Sequence, residues 1–328
     1  MGFFQKTLCS LPQPQMALQP VDGLFSANGE RRGLLHKFRS ILYALTSKPL
    51  KDRIMSQKDD FSIHFIGGGN MASAMIGGLL RHGFLAKQLT VVDPDPNVVQ
   101  RHQASGLNGS LVFEAPTNEP DMVIWAVKPQ SFKAACTPVA PHTRQALHLS
   151  VAAGLTTDAL SSWLGTERIV RAMPNTPALI GLGQAGLYAR PAVSLLDKER
   201  INQVMQAIGQ SIWVPRESDL DAVTAISGSG PAYVFYFLEA MMDAAQRMGL
   251  SAQTATQLAV GTFEGATALA KASSEPPGVL RERVTSKGGT TFAALEHMRA
   301  HQLNEHFVQA LMAARHRAEE MGKELGSQ

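Results

Sequence analysis

A run of small residues is the clearest sign of chemistry in this sequence. Gly67, Gly69 and Ala72 have the spacing G-x-G-x-x-G/A, after an apolar run at 61–66 and before a helical pattern at 71–81. In such a turn the first glycine permits a tight bend and the second lets backbone amides approach a diphosphate. The third small residue lets helix and strand pack closely, with the helix amino terminus facing the phosphates. We therefore predict a dinucleotide site formed by Ile66, Gly67, Gly68, Gly69, Asn70, Met71 and Ala72.

The next apolar run, 89–92, is followed by an acid that bears on the choice of dinucleotide. Asp93 follows the last small residue of the turn by about twenty residues, where a ribose-binding acid is expected. A carboxylate there accepts a hydrogen bond from the ribose 2′-OH of NAD and repels the 2′-phosphate of NADP. Residues 91–100 contain no Lys or Arg. The sequence thus favours NAD(H); NADP(H) stays open if Asp93 turns away and Arg101 with backbone amides binds the phosphate.

Two further turns extend the predicted site. Apolar runs at 122–127 and 146–151 indicate buried strands, and each is followed by a helical pattern. This alternation predicts an α/β fold with a doubly wound, Rossmann-type sheet of parallel strands. Open sheets of this kind bind ligands at the carboxyl ends of their strands, although an ordinary strand-to-helix connection is the alternative at each turn. We predict cofactor contacts from Ala126, Val127, Lys128, Pro129, Val151, Ala152 and Ala153.

The second half of the chain is helical in pattern. Its predicted helices are long, apolar and rich in Ala and Met, and a lone small bundle would bury them poorly. We expect an all-α dimerisation domain at 218–328 behind a dinucleotide-binding domain at 55–217; a monomeric bundle is the alternative. The sequence predicts a strand at 211–214, helices at 219–226, 232–248, 252–272, 291–299 and 304–325, and a glycine loop at 227–231.

The loop Ser286–Thr291, SKGGTT, is the most informative part of this half. Two glycines and two threonines before a helix offer N–H donors and hydroxyl caps to an anion of carboxylate size. An N-capping loop without a ligand is the alternative. We expect no metal, because no Cys/His cluster has zinc spacing and no carboxylate completes a ligand set with His297 and His301.

The composition bounds the class of protein. The chain has 328 residues, 45% hydrophobic and 17% charged, which is globular and long enough for two domains. No run approaches the roughly 18–20 apolar residues of a membrane span. Residues 1–54 carry a net charge of +5 and the rest of the chain −2, so the body shows no nucleic-acid footprint. We expect a cytoplasmic protein with neither nucleic acid nor membrane as partner.

Residues 1–54 are expected to form a poorly structured extension. Pro/Gln-rich pieces surround one short amphipathic stretch at 34–45, and no secretory signal pattern is present. A targeting peptide, an extension without a role and translation beginning at Met55 are the alternatives.

Six motifs resemble those of the pyrroline-5-carboxylate reductase family and occur in that family's order and spacing. The 221–235 motif and the SKGGTT loop are far more specific than the glycine fingerprint. Lys287 departs from the family, where many members have proline. The motifs are FIGGGNMASAMIGGL (65–79), AVKPQ (126–130), SVAAG (150–154), RAMPNTP (171–177), DAVTAISGSGPAYVF (221–235) and VTSKGGTTFAAL (284–295).

The resemblance implies NAD(P)H-dependent reduction of the cyclic imine 1-pyrroline-5-carboxylate to L-proline, the final step of proline biosynthesis. It also implies a homodimer, often assembled into a larger ring such as a decamer. Thr291 is implied as the catalytic residue, with its hydroxyl near the ring nitrogen. By the same resemblance, Ser286, Gly288, Gly289 and Thr290 would hold the substrate carboxylate, and Ser229, Gly230 and Pro231 would pack near the nicotinamide.

Three other functions are compatible with this fold. One is another NAD(P)-dependent imine reductase, and a second is a hydroxyacid dehydrogenase. The 3-hydroxyacid dehydrogenases of similar plan rely on a lysine in the first long helix, and residues 224–250 contain none. The third is a non-catalytic nucleotide-sensing protein, against which the intact SKGGTT loop argues.

Overall fold

The computed structural model describes residues 61–326, so the expected extension at 1–54 lies outside the described residues. Between residue 61 and Trp213 the described chain forms eight strands and five α-helices, of which the sequence patterns missed β3, β6, β7, α2 and α5. The elements are β1 Ile63–Ile66, α1 Asn70–Arg81, β2 Leu89–Val92, α2 Pro96–Ala104, β3 Asn108–Ser110, β4 Met122–Trp125, α3 Phe132–Cys136, β5 Leu147–Ser150, α4 Thr157–Leu164, β6 Ile169–Met173, β7 Gly183–Ala189, α5 Leu195–Gln206 and β8 Gly209–Trp213.

The eight strands form one sheet in the order β3-β2-β1-β4-β5-β6-β7-β8. Strand order reverses between β1 and β4, which confirms the doubly wound arrangement. The expectation of parallel strands is wrong at one pair, since β7 runs antiparallel to β6. A parallel neighbour requires a crossover of about a dozen residues or more. The connection from β6 to β7 is shorter and holds only the 3₁₀ turn Thr176–Ile180, closed by Gly181 at φ 76°.

Each face of the sheet has its own apolar core. One cluster packs α1 and α5 against Phe65, Leu89 and neighbouring strand residues. The other surrounds Trp125 with α3 and α4, and it includes Leu325 from the end of the chain's last helix. The continuous apolar runs of the sequence thus form strands whose two faces are both covered, as is usual in parallel sheets.

The rest of the described chain is helical. The expected glycine loop at 227–231 is wrong: Thr224–Gly228 is a π-helical turn that leads directly into the next helix. The Ser229 amide donates to Thr224 O at 2.8 Å, and Gly228 lies close to Met173, since a Cβ there would be 2.7 Å from Met173 Cε. The helices are α6 Asp219–Val223, α7 Gly230–Arg247, α8 Ala252–Ala272, α9 Pro277–Arg283, α10 Thr290–Ala300 and α11 Leu303–Gly326.

These helices bury little of their apolar surface. No residue of α7 or α10 is buried, and α8 buries only Ala255 and Ala259. Among the helices between residues 61 and 326, none has both the length and the apolar character of a membrane span. All described residues belong to the unit Gln57–Gln328, so a domain boundary at 217/218 stays a prediction.

Candidate active site

Three of the predicted cofactor turns meet at one edge of the sheet. Ile66 is paired with Trp125, and Trp125 with Ser150, so β1, β4 and β5 end side by side. The Ala126 amide donates to Ile66 O at 2.8 Å, and the Val151 amide donates to Trp125 O at 3.0 Å. The turns that follow these strands therefore line a common rim at the topological switch point, where such sheets bind ligands.

The glycine turn after β1 has the backbone that a dinucleotide requires. Gly67 has φ 93°, and a Cβ there would lie 2.6 Å from Ala126 O. A Cβ on Gly69 would meet no atom within 4 Å, so the space above this turn is open. No side chain caps α1 at Gly69. The amino end of a 12-residue helix thus faces open space, and its amides fit a diphosphate.

The predicted cofactor residues differ in how they can contribute. Ile66, Ala72 and Ala152 are buried in the core, so only their backbone can face a ligand. Gly67 and Gly68 are buried as well, whereas Gly69, Asn70 and Lys128 are exposed. Half-buried positions complete the rim at Met71, Asp93, Ala126, Val127, Pro129, Val151 and Ala153.

Asp93 is held in place by two backbone amides. Its Oδ2 accepts from the Gly68 amide at 2.7 Å, and its Oδ1 accepts from the Asp95 amide at 2.9 Å. Asp95 in turn caps α2 by accepting from the Asn97 amide at 2.9 Å. The Asp93 carboxylate therefore joins the turns after β1 and β2, and each of its oxygens keeps a free lone pair for a ribose hydroxyl.

His102 is a supporting residue that the sequence patterns missed. This buried side chain on α2 bonds through Nε2 to Gly68 O at 2.9 Å, so the amide and the carbonyl of Gly68 are both fixed by side chains. A Cβ on Gly68 would lie 2.5 Å from Val98 Cγ1. The spacing of Val98 and His102, four residues apart on one face of α2, could have indicated that His102 packs against the glycine turn.

The segment Ser229–Pro231 lies next to the end of β6. Asn175 Nδ2 donates to Ser227 O at 3.0 Å, and Asn175 Oδ1 accepts from the Gln184 amide at 2.9 Å. This buried asparagine joins β7, the turn after β6 and the π-helical turn that precedes Ser229. Gly230 and Pro231 also line an open groove of about 1320 Å³, together with apolar side chains such as Leu179, Ile180, Leu182, Val234 and Phe235.

Within the described chain, the loop Ser286–Thr291 makes no hydrogen bond to the sheet-edge turns. The Gly289 amide donates to Ser286 O at 3.0 Å, and Gly288 has φ 75°. The hydrogen bonds of Ser286–Thr291 stay within the loop and α10, and none of these residues is buried. Thr290 begins α10, and Gly289 precedes it without a side-chain cap. The structure thus assembles the cofactor rim but leaves this loop facing outward.

The described part of the chain has no reactive thiol and no group of side chains that could hold a metal ion. Cys136 is buried, its Sγ donates to Trp163 O at 3.2 Å, and burial raises its pKa to about 11. Such a thiol stays protonated near neutral pH and is a poor nucleophile. Between residues 61 and 326, no group of three or more His, Cys, Asp or Glu side chains could hold a metal ion.

Comparison with protein families gives two matches. Residues 217–321 match the family described as pyrroline-5-carboxylate reductase dimerisation. Residues 62–154 match the family described as NADP oxidoreductase, coenzyme F420-dependent. The two matches fall on the helical region and on the first five strands of the sheet, respectively.

Curated relatives and solved structures cover the same part of the chain. Pyrroline-5-carboxylate reductase of Pseudomonas aeruginosa is 43% identical over 269 residues, which is 80% of this chain and 98% of the relative. The Pisum sativum enzyme is 33% identical over 265 residues, with 80% and 97% covered. A pyrroline-5-carboxylate reductase structure from Coxiella burnetii has a TM-score of 0.75, 36% identity, and coverage of 80% and 98%. A Plasmodium falciparum pyrroline carboxylate reductase with NADP bound has a TM-score of 0.72, 29% identity and the same coverage.

Proposed function

This chain belongs to the pyrroline-5-carboxylate reductase family, and on that premise we propose how its residues reduce 1-pyrroline-5-carboxylate to L-proline. The chain is an NAD(P)H-dependent oxidoreductase of proline biosynthesis that acts on a carbon–nitrogen double bond. The observation that carries the residue assignment is the uncapped amino end of α1, which opens onto a rim of three strand-end turns. No other part of the described chain combines an open helix terminus with convergent turns after parallel strands.

The rim is proposed to bind the cofactor along its length. Amides of Gly69, Asn70 and Met71 would receive the diphosphate, because a helix terminus offers unpaired N–H donors and a positive dipole end. The turns Ala126–Pro129 and Val151–Ala153, with Ser229–Pro231, would border the nicotinamide. When bound, the reduced nicotinamide supplies the hydride for the carbon of the C=N bond.

The Ser286–Thr291 loop is proposed to hold the substrate. Amides of Gly288, Gly289 and Thr290, with the Ser286 hydroxyl, would bind the carboxylate at the amino end of α10. The Thr291 hydroxyl would donate to the ring nitrogen, which draws electron density from the adjacent carbon and makes it more electrophilic. The nitrogen gains a proton that originates in solvent as the carbon gains the hydride. Positioning and electrostatics then account for most of the acceleration.

The match to a dimerisation family indicates a homo-oligomer. We assign a homodimer in which the substrate loop of one copy faces the cofactor rim of the other. Support comes from the outward-facing loop, the open rim and the exposed apolar side chains of α7. Assembly of dimers into a ring such as a decamer, and a cytoplasmic location, belong to the same proposal.

Both NADH and NADPH remain candidate cofactors, and we propose that NADH is preferred. Two amides hold the Asp93 carboxylate beside the glycine turn, so turning it away to admit a 2′-phosphate would break both bonds. Arg101 is exposed on α2 and is the nearest following cation in the sequence. The Plasmodium relative binds NADP, so this preference would distinguish the present chain from that relative.

A redox assay tests the function and the preference together. The full chain is mixed with DL-1-pyrroline-5-carboxylate and either NADH or NADPH, and the loss of reduced-nicotinamide absorbance is followed. Oxidation of either cofactor with formation of proline supports the reaction, and a larger kcat/KM with NADH supports the role of Asp93. A folded protein that binds nucleotide but oxidises neither cofactor would contradict the proposed reaction.

A single substitution tests the proposed preference for NADH over NADPH. Asp93→Asn removes the charge and keeps the shape, so kcat/KM for NADPH relative to NADH should rise about tenfold, as loss of one repulsive charge pair implies. Asp121→Asn is the matched control. Asp121 also accepts from a backbone amide, that of Ser62 at 2.9 Å, but it precedes β4 and lies at the opposite edge of the sheet. A control that changes the ratio equally would refute the assignment of Asp93.

A further inference from the structure

Two contacts from later in the chain border the turn between β5 and α4, residues 151–156: one reaches Thr157, the first residue of α4, and the other reaches Gly154. The first residues of this turn continue from β5 onto the cofactor rim. Gly154 has φ 78°, a conformation that favours glycine, and the Ala152 amide donates to Ser150 Oγ at 3.3 Å. Short connections of this kind are the mobile parts of a sheet edge unless other elements hold them.

Glu217, where the match to the dimerisation family begins, holds the α4 end of this turn. Its Oε1 accepts from the Thr157 amide at 2.7 Å, and its Oε2 accepts from the Thr157 hydroxyl at 2.6 Å. Arg171 of β6 donates to the same carboxylate at 3.1 Å. Thr157 is the first residue of α4, so this amide has no acceptor within its helix, and a carboxylate is favourable at that terminus.

The last turn of α11 holds the same connection at Gly154. A Cβ on Gly154 would lie 2.9 Å from Leu325 Cδ1 and 3.6 Å from Met321 Cβ. A Cβ on Gly322 would lie 3.7 Å from Gly154 O, so helix and turn meet almost backbone to backbone. Leu325 is 8% exposed and belongs to the same core cluster as Ala152 and Leu155.

We propose that Glu217 and Leu325 are positioning residues that hold Val151–Ala153 against the nicotinamide end of the cofactor. Glu217, just before the helical region, acts through charged hydrogen bonds to Thr157, and Leu325, at the end of that region, acts through packing on Gly154. The proposal rests on the proposed cofactor role of Val151–Ala153. A displacement of about 1 Å at a reacting group can cost about 100-fold in rate, so a loosened turn has a measurable effect.

The test measures reduced-cofactor binding by fluorescence, together with kcat and both KM values, in the full chain. Leu325→Ala and Thr157→Val should each raise the dissociation constant of the reduced cofactor and lower kcat by about tenfold, with the KM of the imine little changed. Thr157→Ser keeps the hydroxyl donor and should restore values close to wild type. Glu217→Gln, which weakens both bonds, should behave like Thr157→Val.

Two controls separate positioning from general stability. Leu164→Ala removes a leucine that is buried in the same cluster as Leu325 but lies at the far end of α4. It should lower the melting temperature while leaving the cofactor constants within about twofold of wild type. Glu119→Gln alters an exposed glutamate that accepts from the Ala146 amide at 3.0 Å, at the end of β5 away from the turn, and it should leave the cofactor constants within about twofold of wild type.

Each outcome decides the proposal. Unchanged cofactor constants in Leu325→Ala and Thr157→Val, or equal changes in Leu164→Ala, would overturn it. If Leu325→Ala fails to fold, the comparison of Thr157→Val with Thr157→Ser decides. Cofactor binding is measured without imine, so the positioning role can be judged even if the wild-type chain reduces no imine. A wild-type chain that binds neither nucleotide would overturn the positioning role and the proposed function together.

Discussion

The sheet region and the helical region of this chain treat their apolar residues in opposite ways. The sheet encloses Phe65, Trp125 and their neighbours in two cores on its two faces. The helices leave large side chains exposed, with Phe235 at 59% and Tyr236 at 70%, beside an open groove. The first region buries its two cores within one chain, whereas the second has the surface of a core that a second copy completes. The residues with proposed chemical roles follow the same division.

The largest expected effect comes from placing a charge on the exposed face of the helices. Phe235→Glu should yield a monomer and lower activity on the order of 100-fold, because an unpaired charge would be buried in the proposed dimer. Light scattering after size exclusion gives the mass, and the redox assay gives the activity. Leu195→Glu is the control, since this leucine of α5 is 81% exposed in the sheet region and should tolerate the charge. A Phe235→Glu protein that keeps the wild-type mass would contradict the contrast between the regions.

Removing one hydroxyl from the helical region should have the next largest effect on activity. Thr291→Ala should lower kcat by about 10–100-fold, since a hydrogen bond to the imine nitrogen that forms in the transition state is lost. Thr291→Ser keeps the donor and should retain most of the activity. Steady-state kinetics at saturating cofactor separates kcat from KM. Full activity in the alanine variant would mean that the helical region contributes an interface and no chemistry.

A buried polar pair gives a smaller effect that is confined to the sheet region. Trp125 Nε1 donates to His148 Nδ1 at 3.0 Å, and His148 Nε2 donates to Thr143 O at 2.7 Å, so the ring must be neutral. Burial lowers the pKa of His148 to about 4 from its ordinary 6.5. Between these values the unfolded chain takes up a proton that the folded chain does not. The free energy of unfolding should therefore fall by about 2 kcal/mol from pH 7 to pH 5 on account of this residue.

The substitution His148→Gln tests that pH dependence. Glutamine can accept from Trp125 and donate to Thr143 without titrating, so the variant should lose about 2 kcal/mol less than wild type over the same pH range. Denaturant unfolding at several pH values measures the difference. The exposed His142 offers the same substitution as a control, and His142→Gln should follow the wild-type curve. Parallel curves for wild type and His148→Gln would mean that this histidine does not titrate as its burial implies.

How far the sequence predicted this molecule also differs between the two regions. Apolar runs and the glycine spacing predicted the doubly wound sheet and five of its eight strands, because burial and turn geometry leave a local pattern. The strand β7, GQAGLYA, was missed because its glycines are required by packing: a Cβ on Gly186 would lie 2.8 Å from Val223. The start of α2 carried a signal that was overlooked, since Asp95 caps the helix and Pro96 follows it.

The candidate site shows what residue patterns leave out. Spacing identified Asp93 and the glycines as a group, but it does not indicate that the Gly68 amide holds Asp93 or that His102 holds the Gly68 carbonyl. Those bonds join residues far apart in the sequence, and their directions depend on how α2 packs. Residues 227–231 were mistaken for a loop because Ser and Gly disfavour helices locally, whereas the π-helical turn Thr224–Gly228 leads directly into α7 here.

The position of Leu325 has a consequence for how the chain is made. Synthesis proceeds from the amino terminus, so the sheet emerges from the ribosome first and begins to fold as a unit. The other buried members of its second core lie at or before Ile169, and Leu325 is added only after the whole helical region. The nascent sheet therefore lacks one residue of its second core, Leu325 beside Gly154, until the helical region has been synthesised. Leu325 is synthesised after the helical surfaces that are proposed to pair with a second copy. The second core is therefore completed only when the chain also carries its surfaces for assembly.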